Sequence, residues 1–227
     1  MDLFGKWIYG DINNTINLHV RSQLWNQTIL GGYNMDNAKK HCEKLKKYIN
    51  QYLGKGQADE ILSGLDELTG EETPEQCAVW ACKVNERLEK QIDSDILIQI
   101  REECACIKAN KYSPYVKYFK EIREKNDNDE DYLKAIAEFL NGRGRCGKKV
   151  EYIDGKIFSH FEFGNSCVCY VIKGGWQKPP SKTWCRCCEG TLMSIYKLVF
   201  PEKKCNMDIV ESFATDGKDC VFSTWYT

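Results

Sequence analysis

The sequence predicts an α+β fold, with an N-terminal helical region followed by a small antiparallel β-β-β-α-β-β domain. Three observations carry this reading. Apolar residues recur at three- and four-residue steps between Asp36 and Gly142. After Gly142 the period falls to two, between turn dipeptides such as Asp154-Gly155. Cap-plus-proline signals, Thr73-Pro74-Glu75-Gln76 and Ser113-Pro114, fall only in the first part. Helices segregated along the chain from antiparallel strands make an α+β protein. The expected divisions are an irregular arm over 1–34, a helical domain over 35–142 and a cysteine-rich α+β domain over 143–227.

The first helix carries Cys42, Leu45, Ile49 and Leu53 on one stripe, and Gly54 offers its stop. A short segment places Ile61, Leu62, Leu65 and Leu68 together. Behind the Thr73 capping box, Cys77, Trp80, Val84 and Leu88 share a face. Asp93 or Ser94 caps the next helix, with Leu97, Ile100, Cys104 and Ile107 inward. Ser113-Pro114 opens a helix with Tyr115, Tyr118, Phe119 and Ile122. The acidic run Asp127 to Asp131 precedes a helix with Tyr132, Ile136, Phe139 and Leu140, ended by Asn141-Gly142. Lys149 to Ile153 and Lys156 to Phe163 then pair as a hairpin, because Asp-Gly suits a two-residue turn that needs positive φ. Ser166 to Lys173 reads as a third strand, Gly190 to Phe200 as a helix stopped by Pro201. Cys205 to Phe213 and Asp219 to Tyr226 read as two last strands around a turn at Asp216-Gly217.

Composition bounds the function classes. The chain has 227 residues, 42% hydrophobic and 29% charged, with a formal net charge of −1. That balance gives no reason to expect nucleic acid or an anionic membrane as partner. No run approaches the ~20 apolar residues of a membrane helix. The start, Met1 to Trp7, lacks the charged and apolar regions of a signal peptide, so a cytoplasmic setting with reduced thiols is expected. The sequons at Asn13 and Asn26 then have no meaning as glycosylation sites.

The anomaly is 13 cysteines, an odd number that cannot all pair within one chain. Eight lie between Cys146 and Cys220, and five of those between Cys167 and Cys188. Cys167-Val168-Cys169 on a strand puts both sulfurs on one face. Cys185-Arg186-Cys187-Cys188 follows across a Gly/Pro loop, just ahead of a helix whose free N–H groups favour thiolate. Cys167, Cys169, Cys185 and Cys187 are therefore the candidate ligands of a four-thiolate site for zinc or an iron–sulfur cluster. Cys146, Cys188 and Cys220 are additional candidates. The alternatives are buried thiols acting as small hydrophobes, or disulfides. Cys77 and Cys82, five residues apart, point ~140° apart on a helix. Cys77 and Cys104 fit core stripes, whereas Cys82 and Cys106 have no assigned place.

Other candidates surround that segment. His160 with Glu162 is a candidate acid/base or ligand pair on a strand. Arg143 and Arg145, with Lys148, Lys149 and three glycines, are candidates for clasping a carboxylate or phosphate, although the spacing is not a P-loop. Trp176 and Trp184, with Phe158, Phe161, Phe163 and Trp225, are candidate pocket aromatics.

Residues 190–227 also carry a resemblance. A helix headed by Gly190 is followed by the strand Met207 to Ser212, and then by Gly217, Cys220 and Phe222 as Gly-x-x-Cys-x-Phe. This resembles the end of the 4-vinyl reductase type of small-molecule-binding domain. The paired Cys-x-Cys elements before that helix are similar to those of uncharacterised cysteine-rich proteins of anaerobic bacteria. Some of these bear names such as L-2-amino-thiazoline-4-carboxylate hydrolase-like. The resemblance spans about residues 143–227 and implies a ligand-binding α+β fold, often dimeric, with no catalytic residue assigned. The expectation is a sensor-type protein that binds a small molecule, forms a homodimer and holds a structural metal. The alternative is a hydrolase or thiol enzyme, with Cys185, Cys187 or Cys188 as nucleophile and His160 as base.

Overall fold

Local capping chemistry sets the helices where the sequence marks them. The computed structural model describes residues 35–65, 72–162, 167, 169, 171 and 181–227. Helix α1 spans Met35–Leu53, buries Cys42, Leu45 and Ile49, and ends at Gly54 with φ 94°. The short α2, Gln57–Ile61, buries Ala58 and Ile61; the expected Leu68 lies outside the described residues. Helix α3 spans Pro74–Gln91. The Thr73 hydroxyl accepts from the Gln76 N–H at 3.3 Å, and the Thr73 N–H donates to Gln76 Oε1 at 2.7 Å. Both donors of a capping box are thus satisfied. Thr73→Ala is expected to lower stability by about 1 kcal/mol, read as a lower urea midpoint with an unchanged slope.

Asp93 caps α4, Ser94–Glu103, through Oδ1 to the N–H groups of Asp95 and Ile96 at 3.0 and 3.3 Å. Helix α5 spans Pro114–Arg123. Helix α6 spans Asp129–Leu140 and starts inside the acidic run. Asn128 Oδ1 accepts from the Asp131 N–H at 2.8 Å, and Asp129, Glu130 and Asp131 face the positive end of the helix.

The sheet forms by hairpin logic. Strands β1, Lys149–Ile153, and β2, Lys156–His160, turn at Asp154 and Gly155, with φ 48° and 81°. Strands β3, Cys205–Glu211, and β4, Val221–Tyr226, complete an antiparallel sheet of order β1-β2-β4-β3. Ser212 opens a 3-10 turn, Phe213–Thr215, and Asp216 takes φ 62°, which ends β3 two residues before the expected Phe213. The α+β class therefore holds.

Two expectations are corrected. Of the predicted third strand, Cys167, Cys169 and Val171 are described and none is strand, so the described sheet has four strands. The predicted helix at Gly190 is α7, Lys182–Tyr196, which begins eight residues earlier. Ser181 caps it, its Oγ accepting from the Thr183 N–H at 3.2 Å. Gly190 does not start this helix. A Cβ there would lie 2.2 Å from the backbone oxygen of Glu102, so glycine lets α7 cross α4 at backbone contact.

Tyr33–Thr227 form one compact unit. Helix α7 lies between two apolar clusters. One contains Leu45, Ile49, Val84, Leu88 and Ile100, and takes Trp184 and Cys187 from α7. The other contains Tyr132, Ile136, Ile157 and Phe222, and takes Cys185, Leu192 and Ile195. Cys188 packs against both. Among the described residues no helix is long and apolar enough to cross a membrane.

Candidate functional site

The most unusual group in the interior is Arg101, in the last turn of α4. It is 0% exposed, on the same stripe as Leu97, Ile100 and Cys104. Its Nη2 donates to the Trp184 carbonyl at 2.6 Å, and the guanidinium stacks 4.4 Å from the Trp184 ring. Its Nε and Nη1 have no hydrogen-bond partner among the described residues, and no carboxylate there pairs with it. A guanidinium stays charged, and a buried unpaired charge costs several kcal/mol. The groups whose charge favours this cation are thiols, first Cys187 and then Cys104, Cys169 and Cys185.

Cys187 is the thiol best arranged to supply the anion. It is 1% exposed, and its protonated thiol donates to the Trp184 carbonyl oxygen at 3.6 Å, a contact that opposes ionisation. Hydrogen bonding to the thiols of Cys106 and Cys188 holds it well below the usual thiol range, against burial, with further help from the Arg101 cation. Its partners move the other way: interaction with Cys187 pushes Cys106 and Cys188 up, and burial adds to this at Cys188. His41, on α1, is buried with no partner for Nε2 among the described residues, and burial lowers its pKa to about 4. It is therefore neutral at neutral pH.

Most of the other cysteines are inert by burial, which raises Cys42, Cys146, Cys185 and Cys205 to about 12 and Cys104 to about 11. Cys167 and Cys169 are also raised by burial, yet both sulfurs accept N–H bonds. The Cys169 N–H reaches Cys167 Sγ at 3.4 Å, and the Trp184 indole N–H reaches Cys169 Sγ at 3.5 Å.

The predicted residues separate into those the fold gathers and those it parts. Cys185 and Cys187 lie within α7, not ahead of it, and two helical steps turn them ~200° apart. Cys185 faces away to the Ser212 hydroxyl at 3.0 Å. The expected free helix N–H groups are therefore not what favours thiolate at Cys187. Among the described residues no group of three or more His, Cys, Asp or Glu stands where it would hold a metal ion. Cys188 joins the Cys187 site, Cys146 sits in the sheet-side cluster, and Cys220 packs at its margin.

His160 pairs across the hairpin with Glu151 at 3.0 Å, not with Glu162. The Glu162 N–H donates to Asp219 Oδ1 at 2.7 Å. Arg143 donates to the Phe139 carbonyl and stacks 4.0 Å from its ring, and Lys149 pairs with Glu151 at 2.8 Å. Lys148 Nζ donates to the Glu162 carbonyl at 2.7 Å. Trp184 is central, whereas Trp176 lies outside the described residues.

Sequence reasoning missed Arg101, His41 and Cys106. Arg101 had a signal, a charged residue four after Leu97 on an apolar stripe. Cys106 had none.

Fold and site together define an α+β protein with a buried thiol centre around an arginine. The chain belongs to DUF6144, a family of unknown function, whose family model matches residues 32–224. No curated protein and no solved structure matches it.

Proposed function

We propose that this chain is a thiol-chemistry protein whose working group is the Cys187 thiolate. The supporting observation is Arg101, a fully buried cation with no carboxylate among the described residues and thiols around it. A thiolate is the nucleophilic form of cysteine, so a site that keeps one at neutral pH is suited to attack on a sulfur or carbonyl centre. The reading includes a small-molecule ligand and a homodimer, as the 4-vinyl reductase-like tail implies, and a cytoplasmic setting, as the absence of a signal-peptide pattern at Met1 to Trp7 suggests. The thiolate band in the far-ultraviolet spectrum of reduced protein tests it. Wild type should show the band at pH 7 and Cys187→Ser should lack it; a band retained in Cys187→Ser, or absent from wild type, sinks the reading.

A second reading keeps the metal. The N–H bonds to Cys167 and Cys169 favour it, since thiolate ligands collect such donors. Against it, Cys185 faces Ser212, so the four expected ligands do not converge as they stand. Elemental analysis of protein purified without oxygen decides. Stoichiometric zinc or iron supports this reading, a brown colour selects the cluster, and the absence of both removes it.

A further inference from the structure

We infer that Arg101 and His41 form a buried site for one small monovalent anion, a carboxylate or a halide, taken on the free guanidinium donors Nε and Nη1 and on the imidazole Nε2. The site goes beyond the thiolate reading above and stands on the guanidinium, whichever form Cys187 takes. Arg101 is 0% exposed and His41 7%. Arg101 Nε, Arg101 Nη1 and His41 Nε2 have no hydrogen-bond partner among the described residues. Interiors almost always bond their polar groups, so unpartnered nitrogens on two buried side chains point to a ligand.

The contacts between α1 and the chain around the end of α4 bring the two side chains together. Lys108 Nζ lies 5.5 Å from the centre of the Tyr48 ring. About one turn earlier on each side, the Lys44 ammonium donates to the Ala105 carbonyl. A further turn back on each side stand His41 and Arg101. Leu45 from α1, with Ile100 and Cys104 from the α4 side, shares one apolar cluster. Burial, and after it the charges of Arg101 and Lys44, disfavour protonation of His41, which agrees with this placement.

The chemistry of the donors selects the ligand. The N–H groups of a guanidinium all lie in its plane. The Trp184 ring stacks at 4.4 Å, and the Trp184 carbonyl takes Nη2 at 2.6 Å. The stacked indole leaves the edges of the guanidinium, where Nε and Nη1 stand, as the way in. An acceptor must then lie in that plane, and a permanent cation favours one that is charged. A single negative charge balances Arg101, whereas a dianion would leave a second charge buried without a partner. A carboxylate offers oxygens in one plane, and a halide accepts from any direction. The imidazole of His41, carrying its proton on Nε2, adds a further donor.

The test is equilibrium dialysis of the reduced full chain against labelled acetate and, separately, labelled bromide, with sulfate holding the ionic strength constant. Wild type should take up one anion per chain and saturate. Uptake of acetate alone assigns a carboxylate site, uptake of bromide alone a halide site, and competition between them one site for both; each supports the inference. Arg101→Met should abolish uptake. Should that variant misfold, Arg101→Lys, which keeps the charge without the planar fork, should bind about tenfold more weakly or worse. His41→Phe should weaken uptake about tenfold, the effect of losing one hydrogen bond to a charged group. No saturable uptake of either probe, or uptake unchanged in the Arg101 or His41 variants, overturns the inference. The thiolate band is read on the same samples. A band without uptake keeps the thiolate reading and removes this site, and uptake without a band does the reverse.

Discussion

Arg101→Met is expected to move the midpoint of the Cys187 thiolate band to higher pH by about one to three pH units, the effect of losing an opposite charge within ~4–6 Å. The groups facing Cys187 are Arg101, His41, Cys106, Cys169 and Cys188. His41 is neutral near pH 7, so Arg101 is the fixed cation among them. Without it, burial opposes the thiolate, and only the hydrogen bonds from Cys106 and Cys188 still support it. The direction follows from the charge: removing a cation favours the protonated thiol, so the band should fade at pH values where wild type retains it. Methionine matches the arginine stem in bulk, and fold loss is checked by an unchanged circular dichroism spectrum. An unshifted midpoint would show that Arg101 is neutralised by something other than Cys187.

Gly190→Ala is expected to cost about 3 kcal/mol of stability, at the upper end of the range for overpacking a core. The added methyl would meet backbone, not a side chain that can swing aside: Glu102 O lies 2.2 Å from it, and Glu102 C and Cα lie 2.8 Å away. Relief would require α7 to lift from α4, which would also strain the Arg101–Trp184 stack. Urea unfolding would measure it, and a loss below about 1 kcal/mol, within the common range for ordinary substitutions, would mean that the crossing is looser than described.

What was legible in the sequence was what local chemistry decides. The Thr73 box, the Asp93 cap and the Asp154-Gly155 hairpin each need only residues a few positions apart. What was lost depends on distant partners. Gly190 reads as a helix start because glycine is a poor helix former, yet it is kept by a backbone that passes from α4. Cys185 and Cys187 read as one ligand pair because a strand or loop would align them, and α7 points them to different clusters. His160 looked to Glu162 in sequence but met Glu151 through the hairpin register, which sets Lys149 opposite His160.

The segment that carries Cys106 is fastened on both sides, at the Ala105 carbonyl and the Ala109 N–H. Lys44 belongs to α1 and Ser194 to α7, so this stretch is held by two helices and not by its own turns. Its backbone amides should therefore exchange with solvent only when one of those helices gives way, and not by local fraying.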